Sequence, residues 1–425
     1  MKEVFKNIIK DFIEKDLSSV RKRDCEIPTN ISKIISIIGA RRTGKTFLLL
    51  SIIKELRKKY CKENLLYFNF EDDRLFPLKL EHLSLMIDAY YELFPEKKNE
   101  LVYFFFDEVQ NVENWELFIR RIYDNEKCRI YVTGSSSKLL SKEIATSLRG
   151  RTLTYSIFPY SFKEYIAYHN IETDFYNTSV KANILHYFDR YTKSTAFPEL
   201  IDFEQSSQIK ALHDYSDLII YKDLVERFNI SNRFLIKYFV KFLLSNISNP
   251  ISINKSYNDF KSQGLSVSKD TLFQYLDHIA DAFIVYPVNI FTDNLKEKNR
   301  NPLKIYSLDV GLNLLFTNSI NIGRIFENIV FMELRRYNDN IFYYKAQQEV
   351  DFLINNINGI KLINVTYSLS EKSTKEREIK GLILAMNNLD VEKAILINNE
   401  LEEDIKIGNK TISVVPLWKW LLKDQ

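Results

Sequence analysis

Residues 39–46, "GARRTGKT", constrain the fold more than any other segment because they match the pattern G-x-x-x-x-G-K-[ST] in full. The apolar run "KIISII" before them predicts a buried parallel strand, and "TFLLLSIIKELRKKY" after them predicts a helix with basic residues in its last turn. A glycine loop between a strand and a helix N-terminus directs successive backbone N–H groups toward one anion. The segment therefore predicts a phosphate-binding loop.

The residue types in this loop suit a nucleoside triphosphate. Gly39 and Gly44 allow the backbone to curl, Lys45 can reach the β- and γ-phosphates, and the Thr46 hydroxyl can ligate Mg²⁺. The alternative is a glycine turn that enters a helix with Lys45 merely solvated. The residues expected to contact the nucleotide are Gly39, Ala40, Arg41, Arg42, Thr43, Gly44, Lys45, Thr46, Phe47 and Ser135.

A second segment, "ELVYFFFDEVQNVENWE", supplies carboxylates at the end of an apolar strand. Asp107 is the candidate for holding Mg²⁺ or its water, together with Thr46, and Glu108 is the candidate general base. The alternative is that both carboxylates cap a strand-to-helix turn. In "CRIYVTGSSSKLL", hydroxyl residues from Thr133 to Ser137 end another strand. They could bond the γ-phosphate or the water, or serve as turn residues and helix caps.

Four apolar strands separated by helical segments, including "NLLYFNFED", predict a three-layer α/β domain with a parallel sheet. The 59 basic and 56 acidic residues nearly balance, so net charge neither requires nor excludes nucleic acid. Three separated cysteines suit a reducing compartment, and no apolar run reaches the length of a membrane span. We therefore expect a cytoplasmic protein with no membrane partner.

An ordered set of motifs runs along nearly the whole chain, including "GARRTGKT", "FFDEVQNVENWE", "VTGSSSKLLSKEIATSLRGRT", "STAFPEL", "GRIFENIVFMELRR" and "EVDFLI". In this order the chain resembles the prokaryotic AAA+-type P-loop ATPases of the archaeal/bacterial ATPase-like branch, which have a C-terminal domain of unknown function. The resemblance implies ATP and Mg²⁺ as cofactors. It also implies that Lys45, Thr46, Asp107 and Glu108 carry out hydrolysis.

The resemblance places Arg149 and Arg151, in "SLRGRT", where such ATPases carry a sensing or finger arginine. A guanidinium on the γ-phosphate can raise the rate by roughly 10³–10⁵. Surface ion pairing is the alternative for both arginines. If either acts in trans, the active form is a homo-oligomer.

The resemblance and the residue patterns together predict a P-loop NTPase three-layer sandwich followed by a helical lid, a winged helix and an α/β nuclease-like domain. The expected boundaries are 1–155 for the ATPase domain, 156–234 for the helical lid or linker, 235–308 for the winged helix and 309–425 for a degenerate restriction-endonuclease-like domain.

The winged-helix prediction rests on a helix, a turn, a helix capped by Ser268 and two strands around a polar loop. Its candidate DNA contacts are Lys269, Asp270 and Gln274 on the second helix and Lys296, Lys298 and Arg300 in the loop. One lysine against Asp270 and Asp277 is a poor electrostatic footprint for DNA. A protein partner is therefore the alternative.

Nucleases of the PD-(D/E)xK fold need a metal-binding Asp on one strand and Glu-x-Lys on the next. Here Asp351 has Glu349 beside it, and Glu327 lies on the preceding helix. The next strand carries Asn364 and Thr366 where such nucleases carry Glu and Lys. We expect the fold to persist without cleavage. The alternatives to an ATPase are a nucleotide-gated switch or scaffold with little turnover, and an ATP-dependent DNA-processing nuclease.

Overall fold

The computed structural model describes residues 1–134, 148, 150–175, 177–317, 321–357 and 359–423. The chain forms two compact units, Met1–Phe158 and Pro159–Gln425. Among the described helices, none has both the length and the apolar character needed to cross a lipid bilayer. The finer division into four domains stays a prediction.

The first unit is built on a five-stranded parallel sheet in the order β2-β3-β4-β1-β5. This confirms the predicted P-loop NTPase α/β fold. The fifth strand was not predicted, because "TLTYS" is short, polar and partly exposed. The strands are β1 (Ile34–Ile38), β2 (Leu65–Asn69), β3 (Val102–Asp107), β4 (Cys128–Gly134) and β5 (Thr152–Ser156). The helices are α1 (Lys2–Glu14), α2 (Lys45–Leu56), α3 (Leu80–Leu93) and α4 (Trp115–Asn125).

Alternate side chains of β3 pack on opposite faces of the sheet, as the two-residue period of a strand requires. Phe105 stacks on Tyr131 at 4.7 Å between ring centroids, within the same apolar cluster as the leucines of α2. Phe104 lies 6.1 Å from Tyr90 of α3, and Phe106 lies 5.8 Å from Phe118 of α4. Helices therefore cover both faces, which gives three layers.

Helix α1 protects the edge strand β2. Phe5 packs edge-on against Phe68 at 5.7 Å, and Phe12 stacks on Tyr67 at 4.8 Å between centroids. An uncovered edge strand exposes unpaired backbone groups to other chains, so this cover limits aggregation. The buried residues of α1, Phe5, Ile8, Ile9 and Phe12, recur at helical spacing and form its core-facing surface.

The second unit begins with helices. They are α5 (Phe162–Tyr168), α6 (Thr178–Thr192), α7 (Gln205–Leu218) and α8 (Arg233–Ser245). Beyond α7 the chain continues as a π-helix over Ile219–Glu226. The role of residues 156–234 as a lid or linker stays a prediction.

A small antiparallel sheet with strand order β6-β8-β7 follows α8. Its elements are β6 (Pro250–Ile251), α9 (Ile253–Ser262), α10 (Lys269–Asp281), β7 (Val285–Val288), α11 (Leu295–Arg300) and β8 (Leu303–Ser307). Ser268 caps α10 by accepting a hydrogen bond from the Thr271 N–H, as predicted. The prediction of an irregular loop for Lys296, Lys298 and Arg300 was wrong: Asn294 caps a short helix there, α11.

The C-terminal sheet has six strands in the order β13-β14-β12-β11-β10-β9. The β11–β12 and β12–β14 pairs are parallel and the other pairs are antiparallel. The strands are β9 (Ile341–Lys345), β10 (Glu349–Asn356), β11 (Gly359–Val365), β12 (Lys393–Asn398), β13 (Glu403–Ile407) and β14 (Lys410–Pro416). The helices around it are α12 (Val310–Leu314), α13 (Ile322–Tyr337), α14 (Lys372–Asn388) and α15 (Leu417–Trp420).

Two helices sandwich this sheet. Leu382 and Met386 of α14 share an apolar cluster with Val350 and Leu353 of β10. On the other face, Phe331 of α13 lies 6.3 Å from Phe352. Strand β10 is therefore covered on both sides, and side chains between its apolar positions are held in a fixed place.

Gly311 of α12 has no room for a side chain. A Cβ there would lie 2.7 Å from the Thr195 Cβ and 2.9 Å from Leu212 Cδ1. We expect Gly311→Ala to lower the free energy of unfolding by about 1–3 kcal/mol, as overpacking does. Gly323→Ala is the matched control, since its Cβ would meet only Asn321 Oδ1 at 3.4 Å. Thermal unfolding midpoints compare the two, and equal midpoints would contradict this packing.

Candidate nucleotide site

The loop of residues 39–44 joins the carboxyl end of β1 to the N-terminus of α2. Gly44 is the N-cap of α2 and has a left-handed φ of 95°, a conformation that favours glycine. Inside the loop, the Thr43 hydroxyl donates to the Ala40 carbonyl at 2.8 Å. The first N–H groups of a helix have no partner within it, so this end of α2 is suited to an anion.

Lys45 lies beneath the loop and is buried, with 4% of its surface exposed. Its Nζ donates to the carbonyls of Gly39 at 3.2 Å and Ala40 at 3.1 Å. The same Nζ lies 3.6 Å from Glu108 Oε1. Lys45 is therefore not a solvated surface lysine, and its charge lies between the loop and the end of β3.

Asp107 is fully buried at the end of β3 and accepts three side-chain hydrogen bonds. Its Oδ2 accepts from the hydroxyls of Thr46 at 2.7 Å and Tyr67 at 2.9 Å, and its Oδ1 accepts from the Thr133 hydroxyl. Burial raises the pKa of Asp107, and the bonds from Thr133 and Thr46 act in the opposite direction. The carboxylate is thus joined directly to the phosphate loop.

The residues present fit Mg²⁺. A hydroxyl and a carboxylate are hard oxygen donors of the kind that this ion takes, and Thr46 and Asp107 are already within hydrogen-bonding distance of each other. Burial without a countercharge opposes ionisation of Asp107, so a cation beside it would relieve that cost. Thr46 and Asp107 are the residues that would hold it.

Glu108 follows in a left-handed conformation with φ of 53°, which is strained for a residue with a side chain. Its N–H donates to the Thr133 hydroxyl at 2.9 Å, and Gln110 Nε2 donates to its Oε2 at 2.5 Å. Strand β4 lies between β1 and β3. Thr133 can therefore contact Asp107 at the end of β3 and Glu108 just after it, while lying beside the strand that leads into the phosphate loop.

The other residues predicted for the site lie in different surroundings. Phe47 is 61% exposed, Arg41 is half-buried and Arg42 is exposed. Ser135 and Arg149 lie outside the described residues.

Arg151 precedes β5, and its carbonyl accepts from the Ile34 N–H at 2.9 Å. It is therefore at the amino end of β1, roughly 13 Å along the strand from the phosphate loop. Its guanidinium pairs with Asp124 at 2.9 Å and lies over the Tyr123 ring. Within this chain Arg151 therefore makes a surface ion pair, which was the alternative to a sensing or finger role, at the end of the sheet away from the phosphate loop. A role in trans stays a prediction.

Three residues that contact the site were not found from the sequence: Tyr67, Gln110 and Arg23, whose guanidinium donates to the Thr43 carbonyl at 2.8 Å. Tyr67 carries a weak signal, because it shares a face of β2 with Asn69, whose register partner is Asp107. Gln110 is two residues from Glu108, but its contact depends on the local turn. Arg23 lies between α1 and β1 in a segment without helix or strand, so no periodic pattern marks it.

A second polar cluster surrounds Lys304 of β8, whose side chain is only 2% exposed. Its Nζ lies 2.8 Å from oxygens of Glu349 and Asp351 and 3.0 Å from Glu327 Oε1. The strand register shifts between Val350 and Leu353, which redirects the segment that carries Asp351. The three acids predicted from the nuclease pattern therefore do meet, but around an ammonium group.

Electrostatics holds this cluster together. Burial opposes the charge of Lys304, but the carboxylates, led by Asp351, raise the pKa of Lys304 well above its ordinary value. Burial and the Asp351 charge raise the pKa of Glu327 to about 7. In the described part of the chain, no group of three or more His, Cys, Asp or Glu side chains is arranged to hold a metal ion. Lys304 thus acts as the internal cation.

Asn364 and Thr366 take structural rather than metal-binding contacts. Asn364 Oδ1 accepts from the Asp351 N–H at 2.9 Å, and its Nδ2 donates to Glu378. The Thr366 hydroxyl donates to the Ser368 carbonyl at 3.4 Å. Among the described residues, neither side chain forms a hydrogen bond with Lys304.

The fold and the phosphate loop define a protein with an AAA-type P-loop domain, and residues 31–166 match the AAA domain family. Residues 185–319 and 322–420 match two families described as domains of unknown function, DUF8612 and DUF4143. The chain belongs to the same family as the Methanocaldococcus jannaschii protein named "Uncharacterized protein MJ1544". The two are 40% identical over 436 residues, which cover 99% of this chain and 96% of that protein.

A Haemophilus influenzae protein, also named "Uncharacterized protein", is 28% identical over 404 residues, which cover 93% of this chain and 95% of that protein. Among solved structures, the Orc1 protein of Aeropyrum pernix in complex with DNA matches with a TM-score of 0.31 and 12% identity. That match covers 74% of this chain and 91% of the other. A likeness of that size carries no argument about function here.

Removing the Lys304 charge should destabilise the second unit strongly. Lys304→Met leaves three carboxylates around an apolar chain, and breaking a buried ion pair in this way costs about 3–5 kcal/mol. Lys372→Met is the control, because that lysine is 91% exposed and its ion pair with Glu376 is worth at most about 1 kcal/mol. Thermal unfolding measures both, and equal midpoints would show that Lys304 does not hold the cluster.

Proposed function

We propose that the protein binds ATP with Mg²⁺ and hydrolyses it to ADP and phosphate. The observation that supports this most strongly is the meeting of four side chains at one edge of the parallel sheet: Lys45, Thr46, Asp107 and Glu108. Their contacts, between 2.7 and 3.6 Å, join the phosphate loop to the end of β3. The choice of adenine as the nucleobase, and so of ATP over GTP, is supported only by the family resemblance.

Each residue has a distinct task in this proposal. The N–H groups of the loop and the Lys45 ammonium bind the β- and γ-phosphates and offset the charge that develops as the terminal phosphoryl group leaves. Glu108 takes a proton from the attacking water, and Gln110 orients its carboxylate. Bound Mg²⁺ would supply positive charge at the phosphate oxygens.

Hydrolysis needs Glu108 to be available as a base, and its present contact with Lys45 is long. At 3.6 Å from Nζ, the carboxylate is within ion-pair distance but beyond a good hydrogen bond. A phosphate oxygen is a stronger acceptor for Lys45 than the two backbone carbonyls that it now contacts. ATP binding would therefore draw the ammonium toward phosphate and leave Glu108 to the water.

The output that we propose is conformational, with the second unit responding to the nucleotide state. The alternative, a nucleotide-gated switch or scaffold with little turnover, uses the same site without effective base catalysis. Turnover separates the two. The choice between DNA and a protein as partner of the C-terminal half is a further proposal.

Two substitutions test the ATP site together. Lys45→Ala should abolish measurable ATP binding, because it removes the buried ammonium group that contacts the loop at the Gly39 and Ala40 carbonyls. Glu108→Gln should keep ATP binding and lower the rate of phosphate release by about 10²–10⁴. Isothermal titration and phosphate-release assays measure these effects.

The outcomes of that test are distinct. Wild-type protein that binds no ATP, or a Lys45→Ala variant that binds as tightly as wild type, would overturn the proposal. Binding with negligible turnover in both wild type and Glu108→Gln would favour the switch.

A second candidate function is duplex DNA binding by the segment from α8 to β8, which we interpret as a winged helix. The observation in its favour is the basic and aromatic surface around Tyr257. The ammonium groups of Lys261 and Lys269 lie 5.9 and 5.4 Å from the centre of its ring. Lys269 begins α10, the proposed recognition helix, on which Asp270 and Gln274 are also exposed. Asp270 and Asp277 oppose binding to phosphate.

If this surface binds DNA, replacing both Lys261 and Lys269 with Glu should weaken binding and reduce its salt dependence. Fluorescence anisotropy of a labelled duplex at about 50 and 200 mM salt measures both quantities. Lys372→Glu, with the same type of charge reversal on α14, is the control. An equal loss of DNA affinity in the control, or no DNA binding by wild type, would contradict DNA binding by this surface and favour a protein partner.

The remaining predictions keep their status as proposals. The C-terminal sheet is interpreted as a nuclease-like fold without cleavage, because Lys304 lies among the acids. Mg²⁺-dependent nicking of DNA that Asp351→Ala removes would restore the nuclease alternative.

A homo-oligomer is expected if Arg149 or Arg151 acts in trans, and mass measurement with and without ATP tests it. A cytoplasmic location rests on the cysteine usage.

A further inference from the structure

Arg23 is a buried cation that contacts the phosphate loop from outside the motif. Its side chain is 5% exposed, and it comes from the irregular segment between α1 and β1. One guanidinium nitrogen donates to the Thr43 carbonyl at 2.8 Å. The other terminal nitrogen donates to the Phe158 carbonyl, also at 2.8 Å. One side chain thus joins the loop to the last residue of the first unit.

The bond to Thr43 has a consequence for the loop. The Thr43 carbonyl and the Gly44 N–H belong to one planar peptide group, and in a trans peptide they point in opposite directions. Holding the carbonyl toward Arg23 therefore turns the Gly44 N–H away from Arg23. Gly44 is the N-cap of α2, so this N–H belongs to the anion-binding end of the helix.

The bond to Phe158 reaches a segment that is itself packed against the phosphate loop. A Cβ on Gly39 would lie 2.4 Å from the Ile157 carbonyl oxygen, so the loop and residue 157 are in close backbone contact. The Ile157 N–H donates to the Ile38 carbonyl at 2.8 Å. The segment of residues 157–158 therefore cannot move without disturbing the loop, and the chain enters the second unit at Pro159.

We propose that Arg23 is a positioning residue for the triphosphate. It orients the Thr43–Gly44 peptide for phosphate binding and couples that peptide to residues 157–158, where the chain leaves the first unit. Arginine suits this task because its planar fork can donate to two carbonyls at once. This inference rests on the proposed ATP site and identifies the route by which its occupancy reaches the rest of the chain.

The test compares Arg23→Met with Lys22→Met, which removes the same charge from the exposed neighbouring residue. Arg23→Met should weaken binding of a non-hydrolysable ATP analogue by about ten- to a hundredfold, the loss expected for a charged hydrogen bond. Lys22→Met should bind as wild type does. Arg23→Lys, which keeps the charge but not the fork, should fall between them.

Amide hydrogen exchange distinguishes this role of Arg23 from a purely structural one, because only coupling to the nucleotide makes exchange depend on the analogue. In wild type, the analogue should slow exchange in a peptide covering residues 152–158. At saturating analogue, the Arg23→Met protein should bind but lose this response. Thermal unfolding identifies any variant that does not fold, and the wild-type exchange measurement is independent of every variant.

The outcomes separate this inference from the proposed function. If wild type binds no analogue, the ATP site itself fails. If wild type and Arg23→Met bind equally, or if the analogue binds wild type but leaves exchange at residues 152–158 unchanged, the ATP site stands and the role of Arg23 is overturned.

Discussion

The hydrogen bond between the Thr46 hydroxyl and the Asp107 carboxylate joins two elements that are 61 residues apart in the chain. It can form because all five strands of the sheet are parallel, so that their carboxyl ends meet at one edge. The position of β4 between β1 and β3 adds Thr133 to the same network. The sheet order therefore determines which polar groups the phosphate loop meets, and an antiparallel arrangement would place Asp107 at the opposite edge.

The sequence was most informative where function depends on residues close together in the chain. The loop of residues 39–46 combines its chemistry and its strand–helix context in one segment, and Asp107 is marked by the apolar strand that it ends. Arg23 and Tyr67 reach the site only through tertiary packing, so no local pattern distinguishes them. Helix α11 was missed for a different reason: a polar segment six residues long is as typical of a loop as of a short helix capped by Asn294.

The cluster of Glu327, Glu349 and Asp351 was also predicted only in part, because its central cation was not identified from the sequence. The acids could be named from a resemblance, but the cation among them comes from β8, 23 residues before Glu327 and 47 before Asp351. Its neighbours in the chain are apolar, which is typical of a strand residue and not of a site. The presence of Asn364 and Thr366 instead of Glu and Lys is thus consistent with the position of Lys304, since an acidic cluster without a metal needs another positive charge.

Two buried lysines in this chain show how neighbouring groups determine whether a lysine can bind an anion. Lys304 is enclosed by three carboxylates within 3.0 Å, so its charge is more than balanced and an anion would be repelled. Lys45 contacts two neutral carbonyls, and the carboxylate of Glu108 lies 3.6 Å from its Nζ. Its charge is less completely compensated, and it lies beside N–H groups at the start of α2. A triphosphate would complete that balance, whereas the Lys304 cluster is already complete without a ligand.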